Sequence, residues 1–238
     1  MNKPSIKAIV FDVFGTLVDW HTCIAREAEQ ALLPLGFTTD WSEFALRWRA
    51  EYQPSMEEVR AGRISFCKLD VLHRRNLDIV LAQLGFKDVP AQTRQHLTHA
   101  WHRLDAWPDV TSGLHQLKSH FLLAPCSNGH IALMVHLARR NGFPWDAILG
   151  ADLAKDYKPK PGVYLACADA FDITPAETLM VAAHSSDLQA AAACGLKTAF
   201  IARPAEYGPQ GSETQAACPV DYTANSLIEL AHQLGTMV

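Results

Sequence analysis

The feature that most constrains this chain is a strand without a neighbour. Residues Ile6–Asp12 (IKAIVFD) form a short apolar run that ends on an acid. From about Asp19 to Trp107 the pattern is helical, with few strand-like runs. Trp41, Phe44, Trp48, Tyr52 and Val59 fall on one helical face. Further helices are read from about Ser65 to Leu84, stopped by Gly85, and from about Ala91 to Leu104, ended by Trp107-Pro108. Strands resume at Phe121–Ser127. From there they alternate with helices: HIALMVHLARRNG, a short strand near Ile148, PGVYLACADAF with Pro161 in its first turn, TLMVAA, SSDLQAAAACG, KTAFIA, a last strand near Val220 and a closing helix from Ser226. Such alternation predicts a parallel sheet with helices on both faces. The opening strand must join that sheet. The expectation is a doubly wound α/β core, residues 1–18 and 106–238, with a helical cap, residues 19–105, inserted after its first strand.

In sheets of this kind ligands bind beyond the carboxyl ends of the strands. Four polar groups converge there: Asp12, Ser127-Asn128, Lys158, and His184 with Asp187. Composition limits what they can serve. Of 238 residues nearly half are hydrophobic, enough for a sizeable core. Lysine and arginine total 21 against 25 acids, with no basic block, which argues against nucleic acid. No secretory segment is read in MNKPSIK, and no apolar run is long enough to span a bilayer. Six scattered cysteines without a Cys-x-x-Cys pair suit reduced thiols and a cytoplasmic protein. Eleven histidines without His-x-His or His-Glu-x-x-His spacing speak against a zinc site. Arg203–Pro219, holding Pro, Gly, Ser and Gln, reads as an exposed loop.

The ordered stretches FDVFGTLVD, CSNGH, YKPKPGVY and VAAHSSD resemble the haloacid dehalogenase superfamily. Within it the chain is similar to the 2-haloacid dehalogenases with a helical cap, over essentially its whole length. The resemblance implies that Asp12 is a nucleophile, although aspartate in a turn is also a common capping residue. It implies that Lys158 keeps Asp12 ionised, that Thr16 and the Ser127-Asn128-Gly129 turn bind the substrate carboxylate, and that Arg49 rather than Arg47 meets substrate and halide. Helix capping is the competing role for Ser127, and the two can hold together. Tyr164 matches a family tyrosine beside the nucleophile; packing is its other role. Phe14, Trp48 and Trp20 are candidates for an apolar pocket wall, with core packing as their other and commoner role.

Two positions set the chemistry apart. Phe14 stands where the superfamily's phosphatases carry a second aspartate, and phenylalanine cannot protonate a leaving alcohol. Ala183 stands where their first metal-binding acid would be. Asp12 and Asp187 beside a lysine would hold magnesium weakly. The expectation is metal- and cofactor-free hydrolysis of short 2-haloalkanoates through an ester on Asp12, with water placed by His184 and Asp187. His184 departs from the family's asparagine; it can also carry a proton near neutral pH and leaves fluorinated acids open as substrates. The alternatives are a magnesium-dependent phosphatase or phosphonatase of this fold, and a non-catalytic binding protein. The resemblance also admits a homodimer.

Overall fold

The computed structural model describes residues 5–236; the lead-in MNKP lies outside them. The opening strand is β1 (Ala8–Phe11), wholly buried, as a strand covered on both faces must be. It pairs in parallel with β4 (Leu122–Ser127) on one side and β6 (Thr178–Ala182) on the other. With β5 (Leu149–Gly150), β7 (Lys197–Ile201) and β8 (Tyr222–Ala224), the order is β5-β4-β1-β6-β7-β8. The direction of travel reverses at β1, so its carboxyl end opens into the crevice of the sheet.

Alternation along β1 separates two apolar layers. Ile9 and Phe11 face one of them, with α6 (Val110–Lys118), α7 (Ile131–Asn141) and α11 (Leu227–Gln233). Val10 faces the other, with α9 (Pro161–Asp169) and α10 (Ser185–Ala193). A one-turn helix, α8 (Ala151–Ala154), lies between β5 and the lysine loop.

Between β1 and β4 lies the helical insert: α1 (Trp20–Leu32), α2 (Trp41–Ala50), α3 (Tyr52–Arg60), α4 (Leu69–Gln83) and α5 (Ala91–Thr98). Its two crossings to the sheet run side by side as an antiparallel ribbon of β2 (Val18–Asp19) and β3 (Asp105–Ala106). Asp19 and Asp40 cap α1 and α2 by accepting from the Thr22 and Glu43 amides. The face expected to run from Trp41 to Val59 on one helix is divided at Glu51. Pro54 has no N–H to offer the Ala50 carbonyl, so the ladder stops and a second helix begins. The insert shares a single apolar cluster with one side of the sheet, through Trp20, Trp48, Trp101 and Leu17.

The segment expected to be an exposed loop, Arg203–Pro219, is in part interior. Arg203 and Glu206 are buried, at 7% and 0% exposure. Arg203 Nε donates to the Thr16 carbonyl (2.8 Å), and its two terminal nitrogens grip Asp109 (2.7 and 3.0 Å). A bidentate pair with matched partners tolerates such burial where a lone charge would not. Arg203→Met should therefore strand Asp109 and cost about 3–5 kcal/mol. Urea unfolding with linear extrapolation should show the midpoint falling while the slope stays constant.

Candidate active site

Asp12 extends the β1 ladder by one residue, its amide donating to the Val181 carbonyl (2.9 Å). The chain then turns back at Gly15, whose φ of +86° suits glycine. The turn brings Thr16 over the carboxylate it follows. Thr16 Oγ1 donates to Asp12 Oδ2 (2.7 Å) and accepts from the Ala183 amide (2.9 Å), tying the ends of β1 and β6 together.

Lys158 reaches the same carboxylate from the loop between α8 and α9. Its Nζ lies 2.8 Å from Asp12 Oδ1 and 2.5 Å from Asp187 Oδ2. Its own backbone is held from two sides. The Lys158 amide donates to Asn128 Oδ1 (2.8 Å), and Arg60 of the insert donates to the Lys158 carbonyl (2.9 Å). The Tyr164 hydroxyl donates to the remaining oxygen of Asp187 (2.5 Å).

His184 closes the other flank. Its Nδ1 lies 3.2 Å from Asp12 Oδ2, and its Nε2 lies 2.9 and 3.0 Å from the oxygens of Glu206. Glu206 also accepts from the Trp20 indole (3.1 Å) and the Ser212 hydroxyl (3.2 Å). A Cβ at residue 15 would come within 2.1 Å of Glu206 Oε1, so this acid occupies space that only glycine leaves.

The charges settle one another. Burial alone would raise the Asp12 carboxyl, but the Lys158 ammonium and the bond from His184 outweigh it and hold it far below the ordinary carboxylate range. Burial likewise opposes the imidazolium of His184, yet Asp12 and Glu206 push its pKa up to about 10. Asp12 is thus a poorly hydrated anion between two cations.

Above it lies a cavity of about 730 Å³, in the range that holds small ligands. Asp12, Phe14, Asn128, Lys158, Tyr164, His184 and Asp187 line it from the sheet side; Arg49, Tyr52 and Arg60 do so from the insert. The Arg49 guanidinium sits 4.1 Å from the Tyr52 ring centroid and 5.5 Å from that of Trp20, and its Nε has no hydrogen-bond partner among the described residues. Arg47 points outward to Glu43 at 2.9 Å.

Four residues expected at the substrate, Trp48, Trp20, Ser127 and Thr16, do not line the cavity. Trp48 is packed edge-on against Trp101, its indole bonded to the His73 carbonyl, because its side of α2 faces the apolar cluster. Trp20 likewise contributes to the cluster rather than the cavity wall. Ser127 is fully buried, and its hydroxyl accepts from the Gly129 amide (3.0 Å), a bond that closes the turn before α7 and does not cap the helix, whose N-cap is His130. Thr16 supports Asp12 from below the cavity. Conversely, Arg60, Glu206, Tyr207 and Glu213 stand at the site without having been singled out in the sequence, and Tyr52, read there only as part of a helical face, joins them. Glu206 follows β7 by five positions, and the stretch after each strand of such a sheet was the signal available.

Magnesium finds a poor fit here. One oxygen each of Asp12 and Asp187 is taken by the Lys158 ammonium, and Phe14 and Ala183 supply no side-chain oxygen. A hard octahedral ion wants several.

A family model described as haloacid dehalogenase-like hydrolase matches residues 6–195. The fold is similar to the crystal structure of a defluorinating L-2-haloacid dehalogenase, at 41% identity and a TM-score of 0.93, covering 96% of this chain and 95% of that one. A second L-2-haloacid dehalogenase structure matches at 44% identity and 0.93, covering 98% and 100%. An (S)-2-haloacid dehalogenase of Pseudomonas sp. (strain CBS-3) is 30% identical over 209 residues, covering 85% of this chain and 88% of its own. Phosphoglycolate phosphatases match as well, that of Vibrio vulnificus at 27% identity over 97% of this chain and 96% of its own.

A raised histidine pKa stabilises the folded state fully below about 6.5, and that contribution is lost as pH climbs through about 10. Glu206→Gln removes one of the two anions that sustain it. NMR titration of the imidazole should place His184 near 10 in the wild type and at least one unit lower in the variant.

Proposed function

The chain belongs to the haloacid dehalogenase-like hydrolases, and from that premise we propose that it hydrolyses short 2-haloalkanoates to 2-hydroxy acids without a metal. The observation that carries the reading is an ionised Asp12 held by the Lys158 ammonium with no side-chain acid at residues 14 and 183 to help it hold a metal. The dehalogenases of similar sequence and fold support it. The phosphatase reading has their more distant likeness in its favour but lacks an acid at residue 14.

The substrate carboxylate lies toward Asn128 and the amides of its turn, with C2 over Asp12. Asp12 Oδ1, which among the described residues accepts only from Lys158, keeps a lone pair for carbon, while Oδ2 is held by Thr16 and His184. Oδ1 attacks C2 opposite the halogen; the carbon–halogen bond breaks, and halide leaves toward Arg49 with the bonding pair. A halide needs no proton, so phenylalanine at residue 14 costs nothing. Displacement at C2 inverts its configuration. Holding nucleophile and carbon in line supplies much of the rate.

The product is an ester whose carbonyl oxygen is Oδ2. Water attacks the ester carbon and gives a proton to Asp187. The charge that develops on Oδ2 is met by Thr16 Oγ1 and the His184 imidazolium, which retains Glu206 as its counterion once Asp12 is neutral. Collapse breaks the bond from the ester carbon to Oδ1; the alkoxide takes the proton from Asp187, and a second proton passes to solvent. His184 is thus assigned as an oxyanion donor, and Asp187 as the base. We take residues 19–105 as the cap that covers this chemistry and the β2–β3 ribbon as its boundary.

The test is halide release without added metal from chloroacetate, fluoroacetate and both enantiomers of 2-chloropropionate. Wild type should release halide, and Asp12→Asn should fall by at least about a thousandfold. In heavy-oxygen water a single turnover should label Asp12, not the product. Phosphate release with magnesium from small phosphoesters, with no halide released, would reverse the assignment.

A further inference from the structure

A second polar cluster lies outside the catalytic cavity, where the insert meets the β4–α7 turn. Asp70 comes from the first turn of α4 and His102 from the 3-10 turn after α5; both belong to the insert. His130, the residue before α7, belongs to the sheet side. One ligand atom from each lies within 4.8 Å of the others. His102 Nε2 is 2.9 Å from Asp70 Oδ1, and His130 Nε2 is 3.4 Å from Asp70 Oδ2.

These spacings suit a tetrahedral ion. Zinc bonds at about 2.0–2.1 Å to nitrogen or oxygen place neighbouring ligand atoms roughly 3.3 Å apart. His102 and His130 are 7% and 3% exposed, so their rings are fixed before any ion arrives. His130 can present Nε2 as a lone pair only with its proton on Nδ1, and that Nδ1 has no hydrogen-bond partner among the described residues. His102 Nδ1 lies 2.7 Å from His136 Nδ1, an outer partner that fixes the ring's tautomer as ligating histidines usually require. Of the cations lining the cavity beside the cluster, Arg103 pairs with Glu27 and Arg140 shares Asp105 with Arg26, while Lys68 and Arg139 have no ion pair among the described residues. A surface cavity of about 740 Å³ leads to the cluster, with His99 at its edge, 3.9 Å from Asp70.

We propose that Asp70, His102 and His130 bind one divalent transition-metal ion, zinc fitting best, that clips the helical insert to the sheet domain. Water or His99 fills the fourth position. The ion lies apart from Asp12 and is structural: two of its ligands ride on the insert, and the third is on the turn that carries Asn128 to the Lys158 amide. Binding therefore holds the cap against the residues that position the lysine.

Chelator-treated protein titrated calorimetrically with zinc should bind one equivalent. Its melting point should rise by about 5 to 10 °C at a hundredfold excess over Kd. Cobalt should give a tetrahedral visible spectrum without thiolate charge-transfer bands. Asp12→Asn should bind as the wild type does, while His130→Gln and His102→Gln should each weaken binding at least tenfold. Circular dichroism of the metal-free variants checks that both remain folded. Failure to bind zinc below about 100 µM, thiolate bands with cobalt, or affinity unmoved in both variants would overturn the proposal.

Discussion

The Lys158 ammonium, shared between Asp12 and Asp187, is the interaction on which the site depends. Two carboxylates this close repel each other and resist ionising together. One buried cation between them lets both stay within reach of the same carbon or water. That cation is covalently fixed, so its position is set by the chain: Asn128 holds its amide from the sheet side and Arg60 its carbonyl from the insert. The same charge that keeps the nucleophile ionised thus couples it to both halves of the molecule.

The polar cluster survives in this setting because its surroundings are apolar and layered. Phe14 meets Trp101, Tyr52 and His73 edge-on, and Trp101 in turn stacks on Trp20 and His73. This aromatic wall lies where the insert and the sheet share their core. It limits water beside Asp12, and the attraction of Lys158 and His184 for the carboxylate is stronger for it. Ordinary packing of the insert therefore also tunes the nucleophile.

Much of this was legible in the chain. The order of apolar runs gave the parallel sheet and the interrupted first strand, because period and punctuation are local signals. Asp12, Lys158, His184 and Asp187 were legible because each ends or follows a strand. The internal break at Glu51 was not, since a face counted over Trp41–Val59 hides what Pro54 does to one carbonyl. For Ser127 and Trp48 a site role and a packing or capping role were both open, and their side chains turn inward, a matter of orientation that residue type does not carry. Glu206 escaped notice because its neighbours read as a solvated loop; Trp20 and His184, which bury it, come from distant parts of the chain. The Asp70–His102–His130 cluster escaped for the same reason, its members having no short-range spacing.

The contact between Gly15 and Glu206 has an asymmetric consequence for how such a site could arise. The turn at residue 15 already demands a positive φ, so glycine is favoured there for the backbone's sake whatever stands opposite. An acid at residue 206, in contrast, fits only because no Cβ is present. The histidine's counterion could thus be recruited into room that an older constraint had left vacant, and descendants could lose the acid and keep the glycine, but not the reverse.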